Sequence, residues 1–252
     1  VRIFTTAHEM PFAGHPTVGA AVLLALEDKL AKGQMRLEEQ IGTLICEVTS
    51  DATGARKGSA TFIVPRRSTL EDVDISRQAC ADALNLSVGD IGFDAHRPVV
   101  ASAGVPFLFV PVADLTALAR ARPDEAAFIL TALARARPDE AAFIRNLGSY
   151  GEALYLYTPD EEGDADFRAR MFSPGLGTEE DPATGAAAAA FPAVLLDAEA
   201  RVEGNHKVRI DQGFEMGRPS RINLGFTVKG GHVVEATIGG TAVVVAEGVL
   251  HL

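Results

Sequence analysis

Two side chains suited to moving protons stand at matching places in a repeated motif. His15-Pro16-Thr17-Val18-Gly19-Ala20-Ala21 and Asp181-Pro182-Ala183-Thr184-Gly185-Ala186-Ala187 share the form X-Pro-x-x-Gly-Ala-Ala. An imidazole and a carboxylate are common general acids and bases. Asp181 followed by Pro182 reads as a helix N-cap and first helical residue, since proline surrenders an N–H that has no helical partner. A helix start has unbonded amides and a positive dipole end, so it can hold an anion. A lone histidine at such a place is more often a cap than a catalyst. The matching aspartate shifts the balance toward a shared cleft that receives His15 from one side and Asp181 from the other.

The elements that must position these residues are legible on either side. Arg2-Ile3-Phe4-Thr5 and Arg170-Met171-Phe172-Ser173 are similar strand-like runs, one ahead of each motif. Their recurrence reads as internal duplication. From Ala183 to Leu196 the chain is apolar on every side, so the second helix is expected to be buried all round. Gly185 and five successive alanines keep that helix thin enough for a sheet to pack closely. Strand-like segments with turn signals between them occupy residues 35–39, 43–49 and 59–64 and suit an antiparallel meander. An amphipathic helix runs from Asp74, its expected N-cap, to Leu86. Further strands are expected at 99–102, 105–112, 151–157, 167–172, 208–211, 220–228, 232–238 and 241–246. The carboxylates of residues 159–166 lack calcium-loop spacing and read as a solvated hairpin turn. Residues 115–129 are repeated without change at 130–144. One copy makes a short helix, a break at Pro123 and a second helix capped by Asp124. The second copy reads as a recent slippage or an assembly error in a surface region, where added length costs little.

Bulk properties exclude several classes. A 252-residue chain with 47% apolar residues can bury a sizeable core as one large or two small domains. A net charge of −11 argues against nucleic acid or an anionic membrane surface as partner. No apolar run approaches the roughly 18 residues of a membrane-spanning helix, and the first residues do not read as a signal peptide. Cys46 and Cys80 are too few for a disulfide framework and lack metal-ligand spacing, so a reduced, cytoplasmic setting is the default. His8, Glu9 and His15 lack the zinc-helix spacing, and no glycine-rich phosphate loop opens a helix. No metal or other cofactor is therefore expected.

Three separated stretches, in order, resemble the PhzF-like (phenazine biosynthesis) family, which has the diaminopimelate-epimerase fold. They are Met10-Pro11-Phe12-Ala13-Gly14-His15-Pro16-Thr17, Glu180-Asp181-Pro182-Ala183-Thr184-Gly185 and Gln212-Gly213-Phe214-Glu215-Met216-Gly217-Arg218-Pro219-Ser220. The resemblance implies an α+β fold of two similar lobes. Each lobe would be a mixed, β-barrel-like sheet around a central buried helix, and the pair would commonly form a homodimer. Lobe one would comprise residues 1–103 plus 240–252, and lobe two residues 104–239, with the crossing near Gly104. By resemblance His15 and Asp181 are the catalytic pair, while Gly14, Thr184, Gly185, Ala186 and Gly213 bind a small carboxylate-bearing substrate. From the residues alone, Gln212-Gly213 and residues 217–220 either line the cleft or form a tight turn.

Two departures qualify that picture. The family's principal proton carrier is a glutamate on a strand-and-helix segment that would precede Val1, so lobe one reads as truncated at its start. Glu9, Glu179 and Glu180 are the nearest substitutes in this sequence. The family also often has a serine where Ala186 stands, which points to a substrate other than the phenazine precursor. The expected activity is a cofactor-independent isomerase or epimerase, impaired by loss of that glutamate. The alternatives are a non-catalytic small-molecule-binding or scaffolding relative, or an inactive fragment.

Overall fold

Leu44-Ile45-Cys46-Glu47-Val48 shows how the chain is built: Leu44, Cys46 and Val48 are buried while Ile45 and Glu47 are exposed. Alternate side chains of a strand point to opposite faces, so one face of such a run can line a core. The computed structural model describes residues 1–4, 9, 10, 12–51, 54, 56–71, 75–123, 153–173, 178–199 and 201–249. In chain order the elements are β1 (Ile3–Phe4), β2 (Glu9–Met10), α1 (Gly14–Glu27), β3 (Lys32–Glu39), β4 (Gly42–Asp51), β5 (Lys57–Ile63) and β6 (Thr69–Glu71). There follow α2 (Arg77–Leu84), β7 (Val99–Ser102), β8 (Pro106–Pro111), α3 (Leu115–Arg120), β9 (Leu154–Pro159), β10 (Phe167–Ser173) and β11 (Thr178–Asp181). The last elements are α4 (Gly185–Ala198), β12 (Gly204–Gln212), β13 (Ser220–Lys229) and β14 (His232–Val243).

Strands β1 and β2 form a small hairpin of their own. The other twelve described strands make one mixed sheet in the order β3-β4-β5-β14-β13-β12-β10-β9-β8-β7-β6, with β11 also on β10. Only the β8–β9 and β10–β12 pairs are parallel. The class is α+β, mostly sheet with few helices. A barrel-like wrap is not what the described residues show: β3 and β6 end the sheet without pairing to each other.

The reason lies in β14. Residues 232–238 and 241–246 were expected as two strands, but one strand runs from His232 to Val243. Its first part pairs with β13 and its last part with β5, so it joins two half-sheets. Gly239 and Gly240 do not break it, and at Gly239 close packing requires a bare backbone. A Cβ on Gly239 would lie 2.4 Å from Thr61 Oγ1, and Val18 of α1 lies against Gly240.

Helix α1 lies on β3, β4, β5 and β14, while α4 lies on β14, β13 and the β6–β8 end. As expected, α4 is buried from Ala187 to Leu195 without interruption. Its Phe191 stacks on Phe109 at 5.8 Å and meets Tyr157 and Phe167 edge-on. Such aromatic pairs add about 0.5–1.5 kcal/mol each beyond area burial. Helices α2 and α3 cover the opposite face of β8, β9 and β10, around Leu84, Val110, Leu118, Leu154, Leu156 and Phe172. Ser76, rather than Asp74, caps α2 by accepting from Ala79 N; Asp74 lies outside the described residues. Helix α3 is the first helix of the repeat unit, capped by Asp114. Asp124 and the second copy lie outside the described residues. Residues 160–166 form the expected β9–β10 turn, with Asp160 accepting from Gly163 N and Asp164 paired to Arg221. No helix among the described residues is long and apolar enough to cross a membrane.

Candidate active site

The two long helices begin at the same point. Gly14 opens α1 and Gly185 opens α4. A Cβ on Gly14 would lie 2.6 Å from Gly185 Cα, and one on Gly185 2.7 Å from Gly14 Cα. Neither N-cap, Ala13 or Thr184, bonds its helix through a side chain. The first-turn amides of Gly14, His15, Gly185, Ala186 and Ala187 have no helical acceptor, and both dipoles put their positive ends here. The structure therefore pairs Gly14 with Gly185, whereas the sequence motif aligned Gly19 with Gly185. It is Ala186 that stands opposite His15 in helix position.

His15 is the second residue of α1, and its Nδ1 lies 2.8 Å from the carbonyl oxygen of Ala183. A carbonyl only accepts, so Nδ1 carries the proton; in the neutral ring Nε2 is then the free acceptor. The bond links the start of α1 to the segment just before α4.

Asp181 does not cap α4. It is the last residue of β11, and the helix starts four residues later. Its Oδ2 accepts from Thr184 Oγ1 at 2.7 Å. Gln212, fully buried, takes the place a cap would have filled: its Oε1 accepts from Thr184 N, while its Nε2 donates to Asp181 O and Thr184 Oγ1. The chain of bonds from Gln212 through Thr184 to Asp181 orients the carboxylate and leaves Oδ1 without a partner among the described residues. Gly213 follows with φ +81°, and a Cβ there would meet Arg218 O at 2.4 Å and Pro182 O at 2.9 Å. It supports the Pro182 segment from behind.

Two cavities meet at this junction. The smaller, of about 200 Å³, is lined by Gly14, His15, Asp181, Thr184, Gly185 and Ala186 together with Phe4, Met10, Phe12, Phe107, Met171 and Ser173. The larger, of about 1220 Å³, shares Gly14, His15, Asp181 and Gly185 and opens toward β4, β5 and β14. Gly213 lines neither of the two. Every other residue singled out in the sequence for the site is brought to the smaller cavity.

The carboxylates considered as substitute bases are committed elsewhere or stand apart. Both oxygens of Glu9 accept from Arg2, whose guanidinium holds that carboxyl below the ordinary range. Both oxygens of Glu180 accept from Arg170, and Glu179 is exposed. Arg170 is itself buried and also donates to the carbonyls of Leu118 and Ala121 at the end of α3. It thus ties β11, and with it Asp181, to the far face of the sheet. Cys46 is buried beneath α1, and burial, with the nearby Glu39 charge, pushes its thiol up to about 11, which removes it as a nucleophile. Arg170 and Ser173 had no separate functional signal in the sequence, and Gln212 stood there only in a stretch that either lines the cleft or forms a turn. The alternation Ala169, Met171, Ser173 along β10 was the one hint that Ser173 faces inward.

Residues 1–248 match the sequence profile of the phenazine biosynthesis-like protein family. The chain belongs to that family. A protein of Mesorhizobium japonicum described as an isomerase is 41% identical over the whole of this chain and 80% of its own length. The trans-2,3-dihydro-3-hydroxyanthranilate isomerase of Pseudomonas chlororaphis is 28% identical over the whole chain and 79% of its own length. The fold matches the crystal structure of a Bacillus anthracis phenazine biosynthesis protein of the PhzF family with a TM-score of 0.77. That likeness, at 22% identity, covers 96% of this chain and 77% of the other and speaks to the fold alone.

Proposed function

We propose that this member of the phenazine biosynthesis-like family is an isomerase or epimerase that moves a proton on a small carboxylate-bearing substrate. The observation that carries the reading is the meeting of two uncapped helix starts at Gly14 and Gly185, flanked by His15 and Asp181. Open amides and two dipole ends suit a carboxylate and the enolate or dienolate formed when a neighbouring carbon loses its proton. His15 Nε2 and Asp181 Oδ1 are acceptors at the cavity without a partner among the described residues. In this scheme they position the substrate and assist the proton's movement. The amides of Gly14, Gly185 and Ala186 hold its charge, and Gly213 acts indirectly through Pro182. Since these groups already supply anion binding and proton handling, the reading needs no metal or organic cofactor. The two helix-bearing halves joined at β14 are read as two lobes, and the protein as a homodimer, on the strength of the family resemblance; a cytoplasmic setting is read only from Cys46 and Cys80 being too few for a disulfide framework.

The engagement of Glu9 and Glu180 by arginines bears on the alternative, a relative that binds a carboxylate without turning it over. The test is incubation of the full gene product with trans-2,3-dihydro-3-hydroxyanthranilate and other small carboxylates in deuterated water, followed by proton NMR. Deuterium entry that is lost in Asp181→Asn supports the isomerase. Binding without exchange would sink it and leave the binding relative.

A further inference from the structure

The smaller cavity has one polar group that the proton-transfer scheme does not use. Its walls are apolar at Phe4, Met10, Phe12, Phe107 and Met171. Among its polar side chains, His15 and Asp181 belong to the scheme. Thr184 Oγ1 is consumed by donating to Asp181 and accepting from Gln212. Ser173 remains. It is 1% exposed, lines the cavity, and its Oγ has no hydrogen-bond partner among the described residues. A buried hydroxyl left unpaired works against folding and calls for an explanation.

Its position supplies one. Met171 pairs across β10–β11 with Asp181, and Ser173 is the next cavity-lining residue along the same strand. Two residues of strand separate their Cα atoms by about 7 Å. The cavity therefore presents anion-binding amides at the helix starts, an apolar wall, and a single hydroxyl displaced along β10. At Ala186, where the family often has serine, no hydroxyl is available.

We propose that Ser173 hydrogen-bonds a hydroxyl or amine substituent of the substrate. The substrate class is then a compact carboxylate with an apolar ring or short chain and one such substituent away from the carboxylate. This assignment rests on the reading of the cavity as the isomerase site. Ser173 is a specificity residue: it ranks substrates and carries no proton in the reaction.

Isothermal titration of the full gene product with benzoate and with 2-, 3- and 4-hydroxybenzoate tests it. One net hydrogen bond corresponds to roughly a 2- to 12-fold gain in affinity. At least one hydroxybenzoate is expected to exceed benzoate by that factor. In Ser173→Ala the advantage should vanish while benzoate itself binds as before. An advantage that survives Ser173→Ala, or no advantage for any isomer, overturns the assignment while leaving the cleft reading intact. If none of the four binds, or if binding is indifferent to His15→Ala and Asp181→Asn, the cleft reading falls and Ser173 falls with it.

Discussion

Replacing Gly185 by alanine would place a methyl group 2.7 Å from Gly14 Cα and 3.4 Å from Gly14 N and C. Carbon atoms pack at about 3.5–4.0 Å, so the two helix starts must separate by roughly 0.8 Å. Both partners are main chain, and α4 is enclosed on all sides, so no flexible side chain can absorb the change. Overpacking of this kind costs about 1–3 kcal/mol, offset by about 1 kcal/mol from alanine's better helix propensity. The net is a loss of up to about 2 kcal/mol, or a fall in Tm of up to about 8 °C for a protein of this size. Activity should suffer more, on the order of a hundredfold, because an error near 1 Å in the placement of reacting groups costs that much. The control is Gly19→Ala, inside α1 with nothing within 4 Å of the new methyl, which should gain about 0.5–1 kcal/mol. Urea unfolding followed by circular dichroism gives the stabilities, and deuterium exchange on a turned-over carboxylate gives the rate. Gly185→Ala with wild-type stability and rate, or Gly19→Ala as damaging as Gly185→Ala, would refute the argument that the helix starts touch through bare backbone.

Arg170→Met leaves the half-buried Glu180 carboxylate and the α3 carbonyls without their donor, and should cost about 3 kcal/mol in urea unfolding. Arg170→Lys should recover only part, since an ammonium cannot match the two-pronged contact. Thr17 has one hydroxyl proton and two acceptor oxygens at 2.7 Å, Ala13 O and Glu39 Oε1, so the two compete for it and the Glu39 carboxylate is poorly compensated for its burial. Burial raises the Glu39 carboxyl above its ordinary value of 4.5 despite the bond to Thr17. Its stabilising effect is thus complete below about 4.5 and is lost as pH rises through the raised value. Glu39→Gln, which is uncharged, should be more stable than wild type at pH 7, and that margin should shrink toward pH 4; an equal margin at both would sink the idea. Tyr155 Oη is buried and has no partner among the described residues, so Tyr155→Phe should leave the thermal midpoint unchanged or raise it, by about 1 kcal/mol of stability at most.

What could be read from the chain alone follows from which interactions are local. The buried character of α4 was legible because every position from Ala187 to Leu195 is apolar, and a pattern without a polar stripe has one structural outcome. His15 and Asp181, read as a pair because their motifs repeat, both line the smaller cavity, although the helices align Gly14 rather than Gly19 with Gly185. The role of Asp181 at its helix was not legible. An aspartate before proline is locally a good N-cap, and only Gln212, far along the chain, occupies the Thr184 amide and turns the carboxylate elsewhere. The joining of residues 232–238 to 241–246 was likewise hidden, since a glycine pair ordinarily signals a break. Thr61, distant in sequence, is what crowds Gly239 inside a continuous strand. Ion pairs gave no local signal either: nothing in Glu180-Asp181 announces that the first is locked to Arg170 while the second is left with a free oxygen.

The asymmetry of the junction is what makes it chemically useful. Two helices of 14 residues start at one point with bare glycines, so the backbone donors come from both sides alike. The side chains do not follow that symmetry. On one side the second helical residue is His15, tethered by Nδ1 to the opposite segment. On the other the same helix position is Ala186, and the acid is set back on β11, held by Thr184 and Gln212. A symmetric pair of side chains would offer the same group to both faces of a bound carbon. In the proposed reading, an imidazole and a carboxylate that differ in kind assist the proton's movement at different positions of one substrate. That suits the proton shift along a carbon skeleton proposed above, in which the small side chain of Ala186, lining the same cavity, leaves room for the substrate's body.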